Sequence, residues 1–361
     1  MPNNRIYYAI QQVKVGNSGS KTAIHGLQSV GVTTNFNLEQ VFELGQLAIY
    51  QNIEGIPEVE VTLNKVLDGY PLAYVLATEK GSVLAVGPSI PGRQNARADL
   101  ELAIFPDTQL SSSGSSPTSV LVCSGMYVNS ISYTFPVDGN FTEDLTLVGY
   151  NKVWGSSATG SFDNTDSPQS STGVGRRQYL DMSSSRFPSQ IPGIDSSGAI
   201  SAVANSGYST HFQNITVSCD FGREAIQELG TFAPYYRYVT FPVEVTSEFE
   251  VLAISGDMIN ATESGYYVGL SGTTTGSSTA CQGRHNLLDQ TVFLQTCEGT
   301  KIHLGNKNKL TSVNYNGGDT GGGNVTVTYS YTTYNDLVVA HSGSTNTSWY
   351  TSLTATNWAI G

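Results

Sequence analysis

Two glutamates one helical turn apart, Glu39 and Glu43, are the first residues whose types and spacing could do chemistry, as an acid and base or as metal ligands. No His, Cys or third acid stands at ligand spacing beside them, and a glutamate near a helix start already suits the helix dipole. The pair therefore reads as structural or as a subunit contact. The five histidines, His25, His211, His285, His303 and His341, form no H-x-x-x-H or H-E-x-x-H set. Gly16 to Thr22 is like a phosphate loop only superficially, because Ser20 separates Gly19 from Lys21, and it reads as a hairpin turn. There is no Gly-x-Ser-x-Gly elbow, dinucleotide fingerprint or calcium loop. Cys123, Cys219, Cys281 and Cys297 lack C-x-x-C spacing, and Cys219 reads as a buried free thiol on a strand. The expectation is no catalytic residue, no cofactor, no metal and no enzyme.

Composition points the same way. The 361 residues carry a formal charge of −12, only 13% are charged, and 39% are apolar. Abundant Ser, Thr, Asn, Gly and Tyr suit β structure with many turns, and two domains of ordinary size fit the length. Few Lys and Arg disfavour nucleic-acid binding through a basic patch, whereas a wall that DNA passes without sticking would have this sign. The start of the chain shows no basic and apolar leader, and no run approaches the roughly 20 apolar residues of a membrane span. Folding in a cytoplasm without membrane insertion is expected.

The elements are organised by a repeat. Gln28 to Leu67 returns as Gln213 to Leu252 at an offset of 185, with twelve identities in forty positions that include Phe36/Phe221, Glu39/Glu224, Glu43/Glu228, Leu44/Leu229 and Gly45/Gly230. Val128 to Tyr133 returns as Leu310 to Tyr315 at an offset of 182, followed by Gly139/Gly321. One ancestral unit written twice explains both, and a period this long makes each copy a domain. The first spans 1–154, a Ser/Gly-rich linker and arm 155–199, and the second, with a C-terminal tail holding Trp349, Tyr350 and Trp358, 200–361. Alternation predicts strands over Leu27–Phe36, Glu58–Leu63, Ala98–Phe105, Val120–Ser124, Met126–Phe135 and Thr142–Tyr150. Asn37 as cap, Leu38, Val41 and Phe42 at helical spacing and Gly45 as stop predict a short helix, repeated over Asp220 to Gly230. The segment Arg176 to Ile194 aligns with nothing in the first domain and reads as an arm reaching over a neighbour.

Ser124 to Pro136 with Asn140 to Gly149 resembles the closing hairpin of tail tube proteins of tailed bacteriophages, and Asn35 to Leu67 is similar to the rest of that unit. The resemblance implies a mainly β fold of two tandem β-sandwich domains, each with a short flanking helix, closing into a ring with a continuous inner β-barrel. It implies a virion protein assembled in the host cytoplasm, with rings stacked into a tube for DNA ejection. The fused duplicate implies a homotrimeric, pseudo-hexameric ring. Its partners would be itself, the tape measure, terminator, baseplate or distal tail proteins, a sheath where one exists, and DNA passing without specific binding. Glu39, Glu43, Leu44, Gly45, Glu224, Glu228, Leu229 and Gly230 are assembly candidates; Asp138, Gly139, Thr320 and Gly321 are inter-ring hairpin tips; Glu58, Glu60 and Glu244 are lumen candidates. The rival readings are a terminator or neck ring and a carbohydrate-binding adhesin.

Overall fold

A computed structural model describes residues 5–17, 20–78, 89–106, 117–155, 173–203, 207–253, 288–318 and 323–341. The chain is mainly β. Its first half holds β1 (Gln11–Asn17), β2 (Ser20–Ala23), β3 (Leu27–Asn35), β4 (Leu38–Phe42), β5 (Ile49–Glu54), β6 (Glu58–Val66), helices α1 (Ala73–Thr78) and α2 (Ile90–Arg93), β7 (Ala98–Ile104), β8 (Ser119–Pro136), β9 (Thr142–Gly149) and β10 (Asn151–Gly155). The second half holds the short β11 (Ala202–Val203) and β12 (Gly207–Tyr208), then β13 (Phe212–Asp220), β14 (Arg223–Ile226), β15 (Tyr236–Val239), β16 (Glu244–Leu252), β17 (Phe293–Gln295), β18 (Thr300–His303), β19 (Lys309–Asn316), β20 (Thr326–Tyr334) and β21 (Val338–His341).

Eight strands form one antiparallel path, β3-β6-β9-β8-β13-β16-β20-β19, in which each half contributes four neighbours. The two halves build their four strands by the same connections. Their β-bulges also correspond: Leu27/Ser29 in β3 against Phe212/Asn214 in β13, 185 apart, and Val128/Ser130 in β8 against Leu310/Ser312 in β19, 182 apart. Leu63 opposite Leu145 in the first half has the place of Phe249 opposite Tyr329 in the second, which sets offsets of 186 for β6/β16 and 184 for β9/β20. The ungapped offset of 185 therefore ends before β6, and the sequence identity Val66/Val251 joins residues on opposite faces.

Period-two alternation decides what the sheet does with its two sides. One side carries Val59, Val61, Leu63, Leu145, Leu147, Ile131, Tyr133, Val217, Phe249 and Tyr331, all buried in one core. Behind them lie α1, the sheet β2-β1-β7-β8-β10 and the sheet β17-β18-β21. The 18-residue β8 serves two sheets, pairing with β7 and β10 through its first half and with β9 and β13 through its second. Glu143, fully buried, locks α1 to the sheet: its carboxylate accepts the backbone N–H groups of Ala73 (2.7 Å) and Tyr74 (3.0 Å) and the Tyr133 hydroxyl (3.1 Å).

The expected helix over Asn37–Gly45 and its copy do not form. Leu38–Phe42 pairs with Ile49–Glu54, and Arg223–Ile226 with Tyr236–Val239, as two β-hairpin arms. A helix of two turns is stable only when its apolar stripe docks on a core; the first arm and the tips of both stand away from the core, only β15 of the second packing inward through Arg237 and Val239, and in each arm a partner strand satisfies the backbone instead. Gly45 (φ 91°) and Gly230 (φ 90°) do adopt the left-handed conformation, as arm-tip turn residues and not helix stops. The aligned-with-nothing segment also differs from expectation: it packs into its own chain. Phe187 and Ile191 are buried, Phe187 lies 4.7 Å from Phe212 ring to ring, and the backbones of Asp181 and Arg186 bond to Gln295 and Phe293. Most of the Ser/Gly linker (156–172) and the tail with Trp349, Tyr350 and Trp358 lie outside the described residues.

Candidate functional site

The side of the eight-stranded path turned away from the core is polar throughout its middle. Glu58, Glu60, Thr62 and Asn64 on β6 stand beside Asp144 and Thr146 on β9, Ser130 and Ser132 on β8, Thr216, Ser218 and Asp220 on β13, and Glu244, Glu248 and Glu250 on β16. Seven carboxylates (Glu58, Glu60, Asp144, Asp220, Glu244, Glu248, Glu250) share this face, and no Lys or Arg belongs to these strand rows. The expected lumen residues Glu58, Glu60 and Glu244 are among them; Asp144, Asp220, Glu248 and Glu250 complete the set. Glu58 and Glu250 are half-buried, and Glu58 is held by Arg237 Nη1 at 2.9 Å. A hollow of about 580 Å³ lies on this face where β8 meets β13, bordered by Asp144, Asp220 and Glu244. Among the described residues no group of three or more His, Cys, Asp or Glu could hold a metal ion.

The junction of the halves is the β8–β13 ladder, seven residue pairs from Asn214↔Pro136 to Asp220↔Ser130. Phe221 N–H donates to Asn129 O and Val137 N–H to Gln213 O, so the intervening odd-numbered residues of β13 point their backbone groups across the seam. Phe221 is buried there at 2% exposure, its ring 6.5 Å from that of Tyr74, and Tyr133 is fully buried. The same positions at the ends of the path are bare: Phe36, the counterpart of Phe221, is 62% exposed, and Tyr315, the counterpart of Tyr133, is 52% exposed. The outer edges are thus β3 at one end and β19 at the other, the strand types that meet in the middle.

The arms contrast in the same way. β15 of the second arm lies across the first half, with Tyr236 5.3 Å from Tyr127 ring to ring and its hydroxyl on Asn95 O. Every residue of β5 in the first arm is exposed. Glu39, Glu43, Leu44 and Gly45, and Glu224, Glu228, Leu229 and Gly230, all belong to these arms, with Leu44 and Leu229 fully exposed at the tips. Asp138 and Gly139 form the turn at the opposite end of the sheet, where Arg177 approaches Asp138 at 3.8 Å and Gly139 takes φ 123°. Thr320 and Gly321 lie outside the described residues.

No protein-family model matches the chain, and no curated protein matches it. Among solved structures it is similar to the tube-terminating cap of an anti-feeding prophage (12% identity, TM-score 0.31, over 44% of this chain and 95% of that one). The sheath–tube complex of an extracellular contractile injection system, PVC, in its extended state is similar over 43% of this chain and 95% of that one, at 13% identity and a TM-score of 0.31. Hcp1 from Flavobacterium johnsoniae is similar over 42% of this chain and 99% of that one, at 13% identity and a TM-score of 0.22.

Two buried histidines sit in the sheet β17-β18-β21. Burial pushes His303 down to about 3 and His341 down to about 4, and the His303 Nδ1 accepts the Gly305 N–H at 2.8 Å. Above pH ~6.5, the ordinary histidine value, both stay neutral folded or unfolded and their contribution is complete. As the pH falls towards about 4 the unfolded chain takes protons that the folded chain refuses, and stability drops, by up to about 3 kcal/mol for His341. Glu143 and Glu298, raised by burial, act in the opposite sense above the ordinary carboxylate range. A His341→Gln variant should therefore lose less stability than the parent between pH 6.5 and 4 in urea melts; equal slopes would contradict the buried neutral imidazole.

Proposed function

We propose that this chain is a structural ring-forming protein of a tail tube, in which three chains close head to tail into a pseudo-six-fold ring around a polar, acidic bore. One observation carries the reading: the strand types that join inside the chain, β8 and β13, recur unpaired at its ends as β19 and β3. A surface that pairs with a different surface of an identical unit propagates until it closes, and closure removes the open edges that would otherwise invite aggregation. Transferring the internal register to the edges pairs Val32 with Tyr315 and Thr34 with Val313 of the next chain, and seats Phe36 where Phe221 sits internally. The repeated strand path and matched bulges support descent from one unit written twice.

The acidic face suits the bore, since a wall of carboxylates and hydroxyls repels phosphates and offers no ladder of cations to bind them. DNA would pass without specific binding. The arms and the Asp138-Gly139 turn lie at opposite ends of the sheet, so rings stacked in one polarity bring arm tips against the hairpins of the next ring. Bare Leu44 and Leu229 favour a stacked tube over a single terminator or neck ring. Counting chains per ring by native mass spectrometry and electron microscopy tests the proposal: three full-length chains agree with it, and six contradict it. Leu44→Asp with Leu229→Asp should leave rings intact and shorten or abolish tubes, because each leucine otherwise buries surface that contributes about 2 kcal/mol. Tubes of parental length in negative-stain images would remove the arms from the stacking contact.

A further inference from the structure

The internal seam holds more than a strand ladder. Arg223 crosses it: Nε donates to Val128 O at 2.7 Å, and the guanidinium lies 5.2 Å from the centroid of Tyr127 and 5.6 Å from that of Phe221. Arg97 also holds Tyr127, donating from Nε to its hydroxyl at 2.7 Å, and lies 5.1 Å from the centroid of the Tyr236 ring. Arg237 adds the ion pair to Glu58. Planar guanidiniums laid against tyrosine rings, Arg223 half-buried and Arg97 exposed, make a more directional clasp than neutral side chains would.

Among the described residues, the corresponding positions at the outer edges keep the ladder and the Phe36 plug but not the residues of this clasp. Leu38 takes the place of Arg223, Gln51 that of Tyr236, Asn52 that of Arg237, Lys309 that of Tyr127 and Glu244 that of Glu58. Lys309 is occupied by Asp289 at 2.7 Å. An ammonium facing Leu38 gains nothing, and an asparagine facing Glu244 cannot make the ion pair that Arg237 makes.

We infer that the chain has one locked seam and one unlocked seam: the arginine–tyrosine clasp fixes the two halves on folding, while a second copy of the same chain joins through a deliberately weaker version of that interface. This rests on the ring reading above and adds to it how assembly is held back. A chain with two equal seams would close rings as soon as it folds. With the outer seam unclasped, free chains stay apart until concentration or contacts with an adjoining ring complete the association.

The test transplants the clasp in the full chain with Leu38→Arg and Lys309→Tyr, both at exposed positions, after thermal melts confirm parental stability. Mass photometry across a dilution series reads ring formation. The double variant should form closed rings at concentrations at least roughly tenfold below the parent. Leu38→Arg alone, which sets a guanidinium against the Lys309 ammonium, should associate more weakly than the parent, and Lys309→Tyr alone should stay near it, so the gain in the double variant exceeds both. Rings from parent and double variant at the same concentration overturn the unlocked seam while leaving the ring reading in place. No rings from any variant at any concentration overturn both.

Discussion

Val32→Pro should give a folded chain that no longer closes rings. The bonds Phe221 N–H to Asn129 O and Val137 N–H to Gln213 O mark the odd residues of β13 as those that face across the internal seam, and the offset of 185 makes Val32 the counterpart of Val217. Its N–H therefore points out of the chain at the β3 edge, and its removal breaks no bond to β6. Proline is tolerated on an edge strand for that reason and is excluded from a central one. In the ring the edge becomes central: the Tyr315 carbonyl of the neighbour loses its donor, at about 2–3 kcal/mol per seam, which lowers association by roughly 30- to 140-fold. Circular dichroism and melting temperature should stay close to the parent, and light scattering should show monomer where the parent makes rings. Proline rings that assemble at the parental concentration would mean that β3 is not a seam strand. Val217→Pro serves as the contrast: the same change in the already central strand should destabilise the monomer itself.

The strands of the main sheet were legible because alternation is a local signal, clean in Glu58–Leu63 and in Met126–Phe135, and the structure puts strands at both. The arms were misread because Leu38, Val41 and Phe42 satisfy helical spacing while Leu38–Phe42 also finds an extended partner in Ile49–Glu54, and only the absence of a core behind the arm decides between them. Helix α1 was missed for the opposite reason: all six of its residues are buried, so the segment has no polar face to give it a period. The acidic face was half visible. Alternation within one strand found Glu58, Glu60 and Glu244 and extends to Glu248 and Glu250 on the same β16, but whether Asp144 and Asp220 share their side depends on register between strands, which bulges at Ser29, Ser130 and Asn214 shift by a residue. The clasp at the internal seam was invisible for the same reason, since Arg97, Tyr127, Arg223 and Tyr236 are brought together only by the β8–β13 pairing and the arm that crosses it.

Reversing charge on the acidic face should turn a non-adhesive wall into an adhesive one. Glu248→Lys with Glu250→Lys leaves five carboxylates and adds two ammoniums to the face of each chain, at positions paired across the strand with Thr216 and Asn214 and away from the core. Folding should be little changed, because neither glutamate is buried and their neighbours on β13 are neutral. If the face lines the bore, each ring of three chains gains six cations around the DNA path. Assembled tubes should then retain duplex DNA that parental tubes release, and the retention should weaken steeply with added salt, with a log–log slope of about −0.9 for each phosphate engaged. The free chain serves as the internal comparison: its face is open, so the variant should also show salt-dependent anisotropy with a short labelled duplex where the parent shows none. Retention by parental tubes equal to that of the variant, or binding by the free variant with none in its tubes, would put this face somewhere other than the channel wall. The first outcome would leave the carboxylates without a repulsive role, and the second would place them on a surface that ring formation covers.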